Sequence, residues 1–142
     1  MKKLIKTSLF VGWLILIYCL SGQDGISSSG LSTKLLTIIA NYLNNFISID
    51  VALFVKEFSL LFRKLAHFSE YFILFVLTYE CFKEYKIKNV LIVAIVFCVV
   101  YACFDEFHQL FVDGRSGQII DVLIDSSGVL TSSVFWHLLF KR

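Results

Sequence analysis

VYACFDEFHQLFVDGRSGQIIDVLID, Val100 to Asp125, decides how this chain folds. Upstream of it, Val90 to Phe104 is almost purely apolar and runs straight into Asp105, Glu106, His108 and Gln109. A tight turn follows at Asp113-Gly114-Arg115-Ser116-Gly117. A second apolar run then begins, with Asp121 and Asp125 in its first turns. Ionisable groups this close to lipid-length apolar segments are costly unless they face a cavity or pair with one another. They therefore mark a functional site by default.

Working outward, the composition agrees. Of 142 residues, 58% are hydrophobic and 17% charged, more apolar and less charged than a soluble domain. The chain reads as an all-α integral membrane protein, one compact bundle without a second domain. A net charge of +2, dispersed along the chain, is too small to argue for nucleic acid, and no nucleic-acid partner is expected. Cys19, Cys81, Cys98 and Cys103 fall in or beside apolar runs without a Cys-x-x-Cys pair, and read as small apolar residues.

Four transmembrane helices are expected, over roughly 4–20, 60–82, 89–112 and 118–140, each near the ~20 residues a bilayer needs. The first follows Lys2, Lys3 and Lys6 as a signal peptide would. Its exit at Tyr18-Cys19-Leu20-Ser21-Gly22 lacks a small-x-small cleavage site, so it is expected to be retained. Ser21 to Gly30 reads as a loop by its Gly and Ser content. Leu31, Leu35, Ile38, Ile39, Tyr42, Leu43 and Phe46 then form one apolar stripe on an amphipathic helix, with Ser28 or Ser29 as its cap. That helix either lies flat at the membrane interface or packs on the bundle. Asp50 caps the next helix, whose first turns are amphipathic before it enters the second span.

Positive residues mark the cytoplasmic side. With four spans, Lys2, Lys3, Lys6, Lys83, Lys86, Lys88, Lys141 and Arg142 fall on one side, so both termini are cytoplasmic in a bacterial cell membrane. The segment 21–59 and the turn 113–117 are then external. At ~1.5 Å of rise per residue, three helices bring their polar groups to one level beneath the outer surface. Facing agrees: Lys64, His67 and Tyr71 share a helix face, as do Asp105 and Gln109, and Asp121 and Asp125 with Gly128 and Ser132. Gly128 allows close helix approach.

The expected ligand-binding set is Lys64, His67, Glu70, Tyr71, Asp105, Glu106, Gln109, Arg115, Asp121 and Asp125. One reading makes these groups ion pairs that hold four helices together, a poor source of stability because desolvation rivals the Coulomb gain. A metal site would use Asp105-x-x-His108 and His67-x-x-Glu70. Lys64 and Arg115 would repel a cation, so neither metal nor cofactor is expected. A serine hydrolase has Ser69 or Ser116, His67 and Asp105, but no nucleophile-elbow motif. Acid–base chemistry by His67, Asp105 or Glu106 stays open, as does proton relay. A transporter is disfavoured by the small size and lack of an internal repeat. The mixed charge suits an anionic, hydrogen-bonding ligand, with Lys64 and Arg115 on a phosphate and Arg63 turned out toward lipid.

Four motifs carry a resemblance. They are Arg63-Lys64-Leu65-Ala66-His67-Phe68-Ser69-Glu70-Tyr71, Asp105-Glu106-Phe107-His108-Gln109-Leu110-Phe111, Gly114-Arg115-Ser116-Gly117, and Asp121-Val122-Leu123-Ile124-Asp125 with Gly128. With the Ser- and Gln-bearing segment 21–29, they make the chain resemble the VanZ-like family over most of its length. The family often has proline where Asp113 stands and asparagine where Asp125 stands. The resemblance implies a small multi-span bacterial envelope protein, from a family whose namesake is linked to resistance to teicoplanin-type lipoglycopeptides. It implies no settled activity. The expectation is a protein that engages a membrane lipid or lipid-linked wall precursor at the outer face. The alternatives are an enzyme acting on that headgroup and an assembly partner in a homo- or hetero-oligomer.

Overall fold

The computed structural model describes residues 1–140, and Lys141 and Arg142 lie outside the described residues. Five helices follow in order: α1 (Lys2–Ser21), α2 (Gly25–Asn44), α3 (Val51–Glu84), α4 (Val90–Gln109) and α5 (Ile119–Phe140). No strand occurs among the described residues. Three helices, α1, α4 and α5, are long and apolar enough to cross a membrane by length and composition. The expected second span is the exception. It belongs to α3, whose 34 residues reach ~50 Å. Its apolar stretch is interrupted by Lys64, His67, Glu70 and Glu80, which keep it out of that set.

The third expected span also stops early, at Gln109 rather than Val112, in a short turn that leads to Gly114 with φ 70°. The larger correction is at α2. Segment 21–30 is not all loop: the helix starts at Gly25, capped by Asp24 rather than Ser28 or Ser29. The Asp24 carboxylate accepts from the Ser27 amide (2.7 Å) and the Ser27 hydroxyl (2.8 Å). A strong cap outweighs the weak helix preference of the serines. Ser29 and Ser32 return their hydroxyls to carbonyls four residues back. Asp50 does cap α3, accepting from the Leu53 amide at 3.0 Å.

Side-chain contacts set the helix directions. Lys6 pairs with Glu80 and Glu84, and Trp13 Nε1 donates to the Glu70 carbonyl, so α1 and α3 are antiparallel. Phe10 packs on Phe97 and the Tyr101 hydroxyl donates to the Leu14 carbonyl, so α1 and α4 run parallel. Lys64 meets Asp121 and Ser132 meets Phe72, so α3 and α5 run parallel. Consequently Lys2, Lys3, Lys6, Lys83, Lys86 and Lys88 gather at one end of the bundle. Arg63, Lys64, Arg115 and their neighbouring acids gather at the other.

Helix α3 is the axis, packed against all four others. Tyr71, Leu74, Phe75, Cys98, Ala102 and Val129 form the centre of the core. The outward faces of α1, α4 and α5 are also apolar, with Leu9, Ile92, Leu123 and Leu138 more than half exposed. Soluble proteins rarely leave so continuous an apolar surface in water. On α2 it is Leu36 and Ala40 that are buried, while most of the expected stripe (Leu31, Leu35, Ile38, Ile39, Tyr42 and Phe46) is exposed.

Candidate functional site

The α3–α5 seam builds one wall of the polar end. The stripe Asp121, Asp125, Gly128, Ser132 faces α3 in register. Lys64 Nζ meets Asp121 Oδ1 at 2.9 Å, and His67 Nδ1 lies 3.3 Å from Asp125 Oδ1. A Cβ at Gly128 would overlap the Phe68 carbonyl, so only glycine permits this approach. Ser132 Oγ donates to the Phe72 carbonyl at 2.9 Å.

The end of α4 supplies a second wall. Glu106 accepts the Gln118 amide (2.9 Å) at the start of α5 and the Gln109 side-chain amide (3.0 Å). Gly117 lies so close to the Glu106 carbonyl that a Cβ would collide with it. The turn between α4 and α5 is tied to the start of α2, where the Gly25 amide donates to the Asp113 carbonyl at 3.0 Å.

Arg115 is the central tie. It donates to the carbonyls of Leu20 (3.0 Å) and Gln23 (3.1 Å), to Ser28 Oγ (2.9 Å) and to Gln109 Oε1 (3.3 Å). Four of its five N–H groups are thus occupied by neutral acceptors. Its charge is not cancelled by any carboxylate contact among the described residues. Burial, then the nearby Arg63, pushes its guanidinium below the usual arginine range. The group stays cationic at any physiological pH.

These elements enclose a partly open cavity of about 250 Å³. Its polar lining is Arg63, His67, Glu70, Asp105, Gln109 and Arg115, with Ser21, Gln23, Ser28 and Ser32 from the α1–α2 side. Leu31, Leu35, Phe62 and Ile17 make it apolar elsewhere. Half of the expected ligand-binding set therefore lines one cavity: His67, Glu70, Asp105, Gln109 and Arg115. Lys64 and Asp121 are engaged with each other at the seam instead. Tyr71 and Asp125 are fully buried, and Glu106 is taken up in bracing α5. Arg63 corrects the expectation that it turns outward: it lines the cavity. Its spacing held the signal, since Arg63, His67 and Glu70 stand at i, i+4 and i+7.

The two pairs that a metal site would use by spacing, Asp105 with His108 and His67 with Glu70, do not form one ligand group among the described residues. His108 turns away to stack near Tyr18, with ring centroids 4.7 Å apart. Instead His67, Asp105, Glu106 and Asp125 each offer a ligand atom within 4.8 Å of all the others. Neither hydrolase serine reaches the cavity lining: Ser69 bonds back to the Leu65 carbonyl, and Ser116 bonds to Gln118.

The model of the family described as VanZ/LLP1 matches residues 7–140. The chain belongs to the VanZ/LLP1 family. The match runs through all five helices, so cavity, seam and turn lie inside the VanZ/LLP1 domain. Among curated proteins and among solved structures, no match is found. Family and apolar helices together point to a membrane protein.

Proposed function

We propose that this VanZ/LLP1 protein holds the phosphate-bearing headgroup of an envelope lipid or lipid-linked wall precursor in the cavity at the arginine-rich end of the bundle. The observation that carries the reading is that Arg63 and Arg115 line one cavity and neither makes an ion pair among the described residues. A phosphate entering there meets the positive charge of both guanidinium groups, with the hydrogen-bond donors of Arg63 and the remaining N–H of Arg115 to hold it. His67, Glu70, Asp105 and Gln109 then face the rest of the headgroup and accept from hydroxyls or amides. The apolar flank at Leu31, Leu35 and Phe62 suits the start of an acyl or prenyl chain.

The same proposal sets the topology. Helix α3 is the fourth span: its polar groups point into the bundle, so it needs little apolar surface of its own. The lysine-rich end lies in the cytoplasm, by the positive-inside rule, and the cavity at the outer face of the cell membrane. Helix α2 lies at the interface with its exposed apolar side chains in lipid. Headgroup capture of this kind ties the family to lipoglycopeptide resistance by withholding a precursor from the drug.

The test uses nanodiscs of phosphatidylcholine doped with phosphatidylglycerol or with a polyprenyl phosphate. Native mass spectrometry should find the phosphate lipid enriched on the wild-type protein and lost in Arg63→Gln. Equal retention by both would remove the reading. A second reading, acid–base catalysis on the headgroup, draws on the contact between His67 and Asp125, a base beside an orienting carboxylate. Cells carrying Asp105→Asn would then accumulate an unprocessed lipid, whereas simple binding leaves the lipid profile unchanged.

A further inference from the structure

Asp125 is the least explained side chain in the molecule. It is fully buried, and neither carboxylate oxygen has a hydrogen-bond partner among the described residues. His67 Nδ1 stands 3.3 Å from Oδ1, within reach of an ion pair when the imidazole is protonated but without hydrogen-bond geometry. Buried polar atoms are satisfied almost everywhere in native proteins, and an exception calls for a bound water, an ion or a catalytic role. Here two more carboxylates converge on the same point, from Asp105 and Glu106 on α4.

We propose that His67, Asp105, Glu106 and Asp125 bind one divalent transition-metal cation, Mn2+ or Zn2+, in the cavity wall. The donor set is one imidazole with three carboxylates. Carboxylate oxygens suit Mn2+, imidazole suits Zn2+, and both ions accept the mixture. Ligand atoms at ~2.0–2.2 Å from an ion stand ~3–4.4 Å from one another. The four groups already lie within 4.8 Å, so small side-chain rotations close the shell. Three different helices contribute, which fixes the site to the folded bundle. Glu106 is oriented by the Gln118 amide and by Gln109, as supporting hydrogen bonds orient metal ligands elsewhere. Of the two cations expected to repel an ion, Lys64 is neutralised by Asp121, and Arg115 spends its hydrogen bonds on Leu20, Gln23, Ser28 and Gln109 rather than on any of the four ligands.

The site has a free side. His67 and Asp105 line the cavity as well as the cluster, so an ion between them has a coordination position open to whatever enters. This cation site stands on its own observations and does not depend on the headgroup reading.

Full-length protein, purified in detergent with a tag that binds no metal and stripped with EDTA, should be titrated separately with MnCl2 and ZnSO4. Elemental analysis after dialysis should find one equivalent per chain. Binding should weaken at least tenfold in His67→Gln and in Asp125→Asn. It should be unchanged in Glu57→Gln, an exposed α3 position away from the cavity and the cluster. Bound Mn2+ in the wild type should show coupling to a single imidazole nitrogen by pulsed electron paramagnetic resonance, a readout that needs no folded variant. Folded wild-type protein that takes up neither ion overturns the proposal. So does binding that survives in both variants, or a spectrum without nitrogen coupling.

Discussion

Replacing Arg115 by methionine should loosen the polar end of the bundle. Methionine keeps much of the length and apolar bulk but removes every donor. Four acceptors lose their partner: the Leu20 and Gln23 carbonyls, Ser28 Oγ and Gln109 Oε1. A hydrogen bond from a charged donor contributes a net ~1.5–3 kcal/mol. The Gln109 contact is long at 3.3 Å, and Ser28 and Gln23 are partly exposed, so water replaces part of what is lost. The expected destabilisation is therefore about 2–4 kcal/mol, well below the simple sum. Lysine at 115 keeps the charge but has one compact ammonium in place of a planar fork. It cannot span from Leu20 to Gln109, so it should recover less than half.

Reversible unfolding in mixed micelles, followed by circular dichroism, measures both variants on one scale. Hydrogen exchange over residues 20–28 should accelerate in each, because the tie holds that segment to the 113–117 turn. If Arg115→Lys matched the wild type in stability and exchange, Arg115 would be acting as a point charge and the tie would be wrong. The same would follow if Arg115→Met fell within about 0.5 kcal/mol of wild type, the ordinary range for an inconsequential surface change.

Gly128→Ala should cost about 1–3 kcal/mol, because the new Cβ meets the backbone carbonyl of Phe68, which cannot swing aside; an unchanged unfolding midpoint would mean α3 and α5 are farther apart. Lys64→Met should destabilise by roughly 2–3 kcal/mol, since it leaves Asp121, 8% exposed, without its cation. The estimate is kept low because the Lys64 side chain is 29% exposed, and adding Asp121→Leu should restore most of the loss in a double-mutant cycle. The Asp24 cap sets a pH dependence. The Ser27 amide, with its hydroxyl, holds the Asp24 carboxylate below its ordinary 3.8, so the cap acts above that value and is lost as pH falls through the depressed one. Amide exchange at Ser27 to Ser29, corrected for intrinsic rate, should therefore rise in acid in the wild type and stay flat in Asp24→Ala.

Helical spacing alone exposed the α3–α5 seam. Asp121, Asp125, Gly128 and Ser132 repeat on one face, and the small residue among them announces a close approach. Depth was legible too, since helix rise placed Lys64, Asp105 and Asp121 near one level. Rotation was not. Spacing says which residues share a face, not which neighbour that face meets. So Lys64 and Asp121, whose spacing predicts ligand groups, satisfy each other, while Arg63 lines the cavity. The start of α2 was hidden for another reason. Serine and glycine argue for loop residue by residue, and only the Asp24 cap with its Ser27 partner tips that run into helix.

The distribution of charge across the polar end argues for a working site rather than a stabilising one. Were these groups present to hold helices together, each would be cancelled by a neighbour, as Lys64 is by Asp121 and Lys6 by Glu80 and Glu84. Arg63 and Arg115 instead line a cavity without an ion pair among the described residues, and three carboxylates, Asp105, Glu106 and Asp125, gather around the single imidazole of His67. An uncompensated buried charge lowers the stability of the fold that carries it. Charges of both signs meet around His67: Arg63, Arg115, Glu70 and Asp105 line the cavity with it, and Asp125 is fully buried beside it. Such an arrangement gains most from ligands that supply the missing charges, an anion at the arginines and a cation among the carboxylates.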